Sequence, residues 1–188
     1  MRNQAVVIGA SAGGLEALRI VLAGLGENFP APVIIVQHLS PESDNFLTTL
    51  LANQCRLRVK EAEEKELLQP GCAYVAPPNY HLLVELDHTL TLSVDARVNF
   101  SRPAIDVLFE TAAEAYGDKL VGVILTGANE DGSLGLQRIK SLGGTTVVQD
   151  PRTAVEQRMP LAAIAKSRVD YVVPLTEIGV LIKQLVEG

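Results

Sequence analysis

Short runs of aliphatic and β-branched residues recur along the chain, and most are followed by a stretch whose apolar residues fit a helix. That alternation argues for a parallel sheet covered by helices. The first run, Ala5-Val6-Val7-Ile8-Gly9, is continuous rather than alternating, as a strand buried on both faces should be. A helix over Leu15–Leu22 follows, then a strand over Val33–Gln37 and a helix from Asp44 to Asn53, with Asp44 as its N-cap after Pro41-Glu42-Ser43. Leu57–Lys60 and Ala73–Ala76 read as strands. Leu82–Leu86 and Thr89–Val94, joined by Asp87-His88, read as a hairpin laid on the main sheet with a solvated His88 at its tip. Pro103 suits the first turn of a helix running to about Tyr116. Strand Leu120–Leu125, helix Ser133–Leu142, strand Thr145–Gln149, helix Pro160–Ala165, strand Tyr171–Val173 and a last helix from Thr176 complete the pattern. The expected fold is α/β: a doubly wound, mostly parallel sheet of about seven strands flanked by helices, with a small β-hairpin insertion. No Ser/Gly-rich linker or internal repeat divides the chain, so residues 1–188 are expected to form a single domain.

Composition narrows the function. A chain of 188 residues buries roughly 70% of its unfolded surface, so no disulfide or metal staple is needed. Sixteen Lys+Arg stand against 22 Asp+Glu, a net charge of -6, which argues against a broad nucleic-acid surface. With no Trp, four Tyr and four Phe, a stacking platform for single strands is not expected either. Cys55 and Cys72 form no CxxC pair, so they read as reduced thiols with no metal or redox role. No cofactor is called for. No apolar run approaches the ~20 residues that cross a bilayer, and the apolar start carries Ser and Gly rather than a signal core. The expectation is a cytoplasmic protein without direct membrane insertion. The run Glu61-Ala62-Glu63-Glu64-Lys65-Glu66 reads as a solvated acidic turn.

The most informative segment is Gly9-Ala10-Ser11-Ala12-Gly13-Gly14, between the first strand and the first helix. It fits G-x-S-x-G, in which a sharp strand-to-helix turn excludes flanking side chains and leaves the serine hydroxyl exposed. Backbone N–H groups at the helix start then point at the same spot and can hold an oxyanion. A phosphate-cradling loop is the competing reading, although Ser11 stands where a dinucleotide fingerprint needs its middle glycine and no G-K-[ST] follows. A purely structural turn is the third.

A serine nucleophile needs a base. His38 follows the second strand as Ser11 follows the first, so the two lie at neighbouring carboxyl ends if those strands pair, about 4.8 Å apart. It is the best candidate, against a reading as a turn cap. His81, at a loop-to-strand junction, is a weaker candidate for lining the site. The orienting carboxylate should also follow a strand, and Thr126-Gly127-Ala128-Asn129-Glu130-Asp131-Gly132 follows the strand at 120–125. Asp131 and Glu130 both qualify. Asp131 is favoured because Gly132 gives the backbone room to bend, and it could also cap the next helix.

Taken together, Ile8–Gly14, Gln37-His38, Tyr74–Pro77, Arg102-Pro103 through Asp106–Phe109, Ile124–Gly127, Asp131-Gly132 and Met159-Pro160 resemble the catalytic domain of the chemotaxis protein-glutamate methylesterases, the CheB family. The match runs in order from about residue 5 to 185. The resemblance implies a doubly wound fold with a Ser-His-Asp triad, whose members fall on Ser11, His38 and Asp131. It implies hydrolysis of γ-glutamyl methyl esters on chemoreceptors or related signalling proteins, with glutamine deamidation as a side activity. Ala12 and Gly13, and the Gly127–Ala128 loop, are then expected to supply oxyanion N–H groups, and Arg102 is carried as a candidate substrate contact beside His81.

Three departures accompany the resemblance. Ala12 stands where the family often has Thr. Ala128-Asn129-Glu130 replaces the centre of the usual Thr-Gly-Met-Gly-Asn-Asp-Gly loop. Met1 lies four residues before the first strand, so the receiver domain that usually precedes this one is not expected here. The expectation is a stand-alone enzyme under a separate regulatory protein. The competing readings are a repurposed phosphate-binding, nucleotide-binding or protein-interaction module, and a hydrolase of small esters.

Overall fold

The computed structural model describes residues 4–40, 44 and 46–188. Its core is a seven-stranded sheet in the order β3-β4-β2-β1-β7-β8-β9, parallel throughout. The strands are β1 (Ala5–Ala10), β2 (Val33–Gln37), β3 (Arg58–Glu61), β4 (Cys72–Val75), β7 (Leu120–Ile124), β8 (Thr145–Gln149) and β9 (Tyr171–Val173). Between β4 and β7 lies a separate antiparallel hairpin, β5 (His81–Val84) and β6 (Leu90–Ser93). The central strands are buried on both faces, which explains their continuous apolar runs.

Alternation along β1 shows how the sheet divides two cores. Ala5 and Val7 face one side, with α3 (Ile105–Tyr116), α4 (Ser133–Ser141), α5 (Arg158–Lys166) and the hairpin. Val6, Ile8 and Ala10 face the other, with α1 (Gly14–Ala23), α2 (Phe46–Gln54) and α6 (Leu175–Glu187). Helices on both faces make the fold doubly wound. In such sheets ligands bind at the carboxyl ends of the strands, where the strand order reverses. Here that point is β1, with β2 on one side and β7 on the other.

Three local expectations need correction. The Arg102–Pro103 peptide is cis, and α3 begins at Ile105 rather than at Pro103. The first helical positions carry N–H groups that are used, those of Ile105 and Asp106, and proline has none to give. The hairpin does not lie on the sheet; it packs on α3, with the Val84 N–H donating to Thr111 Oγ1 at 3.2 Å. His88 is half-buried rather than solvated, its ring stacked on Tyr116 with centroids 4.3 Å apart. The acidic turn is exposed at Glu63, Glu64 and Lys65, as expected, and is tied to the hairpin by the Leu92 N–H, which donates to a Glu64 carboxylate oxygen at 2.6 Å. For α2, Asp44 Oδ1 accepts the Phe46 N–H at 3.1 Å. Residues 41–43 and 45, which frame the expected N-cap, lie outside the described residues.

Candidate active site

The three strands at the centre of the sheet end side by side, and each is followed by one of the singled-out residues. The ladders run one step past the strands: the Ser11 N–H donates to Thr126 O at 3.0 Å, and the His38 N–H to Ala10 O at 3.0 Å. The chain then turns sharply into α1. Gly13 takes φ +78°, and a Cβ there would stand 2.7 Å from that of Val155, so only glycine fits without strain. The Gly14 N–H closes the turn on Ser11 O at 2.8 Å.

Gln37 ties the Ser11 and His38 segments together. Its Nε2 donates to Ser11 O at 2.8 Å and to His38 O at 3.0 Å, which fixes the two backbones relative to each other. The His38 ring lies between two side chains of the 125–132 loop. Its Nε2 is 2.7 Å from Asp131 Oδ2, and its Nδ1 is 3.1 Å from Asn129 Nδ2.

Asp131 is buried and accepts four hydrogen bonds. Oδ2 takes those from His38 and the Ile105 N–H (2.6 Å); Oδ1 takes those from Asn99 Nδ2 (2.8 Å) and the Asp106 N–H (3.1 Å). It therefore occupies the N-terminus of α3, where free N–H groups and the helix dipole favour a negative charge. The sequence suggested a cap on the helix that follows it, but α4 starts after Gly132 with no side-chain cap. Burial on its own would raise the Asp131 carboxyl. The hydrogen bonds from His38, Ile105 and Asn99 outweigh it and hold the pKa below the ordinary carboxylate value. Asp106, bridged to Asp131 through Asn99 (2.8 Å), goes the other way. Burial raises it, the Gly135 N–H opposes, and the neighbouring Asp131 charge adds to the rise. Glu130, the other carboxylate considered, points to Lys166 (2.9 Å) and Arg158 (3.5 Å) instead of His38.

Ser11, Ala12, Gly13, His38, Leu50 and Val155 line part of an open groove of about 1000 Å³. Among the described residues, no hydrogen bond joins the Ser11 hydroxyl to His38, and no acceptor takes the N–H of Ala12, Gly13 or Ala128. The Gly127 N–H is taken, by Glu156 O at 3.1 Å. Arg102 and His81 do not line this groove. Arg102 donates to Asn79 Oδ1 (2.8 and 3.2 Å), Val94 O (2.7 Å) and Asp95 O (3.0 Å). His81 is buried, with Nε2 on Ala96 O (3.0 Å) and Nδ1 accepting the Ala104 N–H (3.2 Å). No cluster of three or more His, Cys, Asp or Glu that could hold a metal occurs among the described residues. Nor is any helix among them long and apolar enough to cross a membrane.

The CheB methylesterase family model matches residues 6–182. The chain belongs to the CheB methylesterase family. A relative from Leptospira interrogans, with the provisional name protein-glutamate methylesterase/protein-glutamine glutaminase, is 54% identical over 98% of this chain and 96% of its own length. The protein-glutamate methylesterase/protein-glutamine glutaminase of Thermotoga maritima is 38% identical over 96% of this chain, which spans 54% of that longer protein. The crystal structure of the Thermotoga maritima CheB methylesterase catalytic domain superposes with a TM-score of 0.95 at 37% identity, covering 99% of this chain and 100% of that one. The CheB catalytic-domain fold expected from the sequence is thus the fold observed.

The sequence alone assigns no role to Gln37, Asn99, Thr126 or Asn129. Thr126 bridges two loops, its Oγ1 donating to Ala12 O at 2.9 Å and accepting the Glu156 N–H at 2.9 Å. Gln37 and Thr126 lay inside motifs that carried the family resemblance, and that was their only signal.

Proposed function

We propose that this chain hydrolyses γ-glutamyl methyl esters on a methylated chemoreceptor or related signalling protein, with Ser11 as nucleophile, His38 as base and Asp131 as the orienting carboxylate. One observation carries the reading: the 2.7 Å contact of His38 with a buried, fourfold-bonded Asp131, at the strand ends where Ser11 sits on its turn. The names of the relatives supply the substrate class, and glutamine deamidation at the same site is part of the reading.

Asp131 is ionised and only accepts, so the His38 proton sits on Nε2 and the lone pair on Nδ1. That lone pair takes the Ser11 proton as Oγ attacks the ester carbonyl, and Asp131 stabilises the imidazolium. The N–H groups of Ala12, Gly13 and Ala128 hold the oxyanion. The carbon–oxygen bond to the methoxy group breaks, His38 returns the proton, and methanol leaves a γ-glutamyl ester on Ser11. Water, deprotonated by His38, then frees the glutamate and Ser11. For glutamine the leaving group is ammonia and the acyl-enzyme is the same.

Arg102 and His81 act in this reading as positioning residues for the 94–104 segment, which carries Asn99 to Asp131. Residues 1–188 act as one catalytic domain in the cytoplasm under a separate regulator. Methanol release from methylated receptor should be abolished in Ser11→Ala, and release at the wild-type rate would refute the reading.

A further inference from the structure

Asn129 holds the one atom of His38 that the proposed reaction needs. Its Oδ1 accepts the Asp131 N–H at 3.0 Å, so the amide NH2 is the end turned to the ring. Nδ2 lies 3.1 Å from Nδ1, while Nε2 faces the Asp131 carboxylate. Donors meet acceptors on both sides only when Nε2 carries the proton and Nδ1 the lone pair. The Asn129 amide therefore occupies the lone pair that would receive the Ser11 proton, and Ser11 makes no bond to His38 in this arrangement.

We propose that Asn129 is a positioning residue that competes with Ser11 for the basic nitrogen of His38, so that reaction proceeds only from molecules in which its amide has left Nδ1. This rests on the reading of Ser11 as nucleophile and His38 as base. Asn129 is half-buried between exposed Ala128 and Glu130, and its side-chain bonds are those to Asp131 and His38, so its release disturbs no packed core. One neutral hydrogen bond is worth a factor of about 2 to 10 in occupancy, which sets the size of the effect. The charged groups around the ring are Asp131 against Nε2, Asp106 one hydrogen bond farther through Asn99, and the paired Glu16 and Arg19 on the groove wall.

The test is the rate at which a small fluorophosphonate labels Ser11 in the whole chain, which needs no receptor. The Ser11 oxygen–phosphorus bond forms, the phosphorus–fluorine bond breaks, fluoride leaves and the serine proton passes to Nδ1. Asn129→Ala should label about 2- to 10-fold faster than wild type. Asn129→Ser, which keeps an acceptor for the Asp131 N–H but falls short of the ring, should do the same and guards against a loop that Ala unsettles. Asn129→Asp puts an acceptor at Nδ1, keeps a proton there and should slow labelling. Nitrogen-15 NMR of the neutral His38 ring should show the proton on Nε2 and Nδ1 bare in wild type. A purely structural role predicts slower labelling in all three variants. That result, or a wild-type ring protonated on Nδ1 alone, overturns the inference. If His38→Ala labels as fast as wild type, the base assignment itself fails and this inference with it.

Discussion

Asp131 concentrates more of the site than any other residue. A carboxylate has about four acceptor positions, and here all are used by donors from a histidine, an asparagine and two backbone N–H groups. In Asp131→Asn one oxygen becomes an NH2 facing donors. On the proposed roles such a change removes the charge that would stabilise the imidazolium and should lower kcat by about 10³- to 10⁴-fold, the scale seen when a triad carboxylate becomes an amide. It should also cost about 2–4 kcal/mol of stability, since a buried charged network is broken with no replacement. Denaturant unfolding at neutral pH measures the second effect. The Asp131 pKa is lower folded than unfolded, so its contribution is present above the unfolded value of about 4 and is lost as pH falls through the folded one. The gap in unfolding midpoint between wild type and Asp131→Asn should therefore narrow in acid. Asp106 has the opposite sign: its raised carboxyl stabilises most in acid and loses that advantage as pH rises through its folded value.

At the scale of elements, the site depends on how closely α4 approaches α3. The Gly135 N–H donates to Asp106 Oδ1 at 2.7 Å, and a Cβ on Gly135 would stand 2.5 Å from that of Phe109 and 3.2 Å from the Asp106 Cα. Neither is the free end of a flexible chain. Alanine would gain about 1 kcal/mol in helix propensity and lose about 1–3 kcal/mol to overpacking, so the clash should win. Gly135→Ala should lower Tm and kcat together, because the displaced turn of α3 is the one that donates to Asp131; a thermal melt and receptor kinetics check both. The strands and most helices were legible from their apolar runs, and so was the placing of Ser11, His38 and the 125–132 loop beyond the ends of neighbouring strands. The α3 start and the seat of His88 were not, because each is set by a partner remote in sequence: Asp131 in one case, Tyr116 in the other. Gln37, Asn99 and Asn129 were hidden for the same reason, since polar side chains at strand ends and in loops acquire their role only from what the fold brings into hydrogen-bond reach.

Across the whole molecule, the 94–104 segment joins the hairpin to the site. Arg102 holds it by four hydrogen bonds to Asn79, Val94 and Asp95, and Asn99 extends from it to Asp131. Arg102→Ala should lower kcat and leave KM for receptor close to wild type; a raised KM with normal kcat would instead make Arg102 a substrate contact. With a net charge of -6 the overall field would not draw an acidic partner.

The order of the central strands also dictates when the site comes into being. Ser11 and His38 ride on β1 and β2, which are near neighbours in the chain and can pair early. Asp131 follows β7, and its partner His38 lies 93 residues before it. Closing so long a loop is slow compared with pairing adjacent segments. During synthesis Ser11 and His38, the proposed nucleophile and base, leave the ribosome long before Asp131. On the proposed roles a nascent or truncated chain without Asp131 should be inert, and on refolding, labelling competence should return only after the far-ultraviolet signal of the sheet and helices.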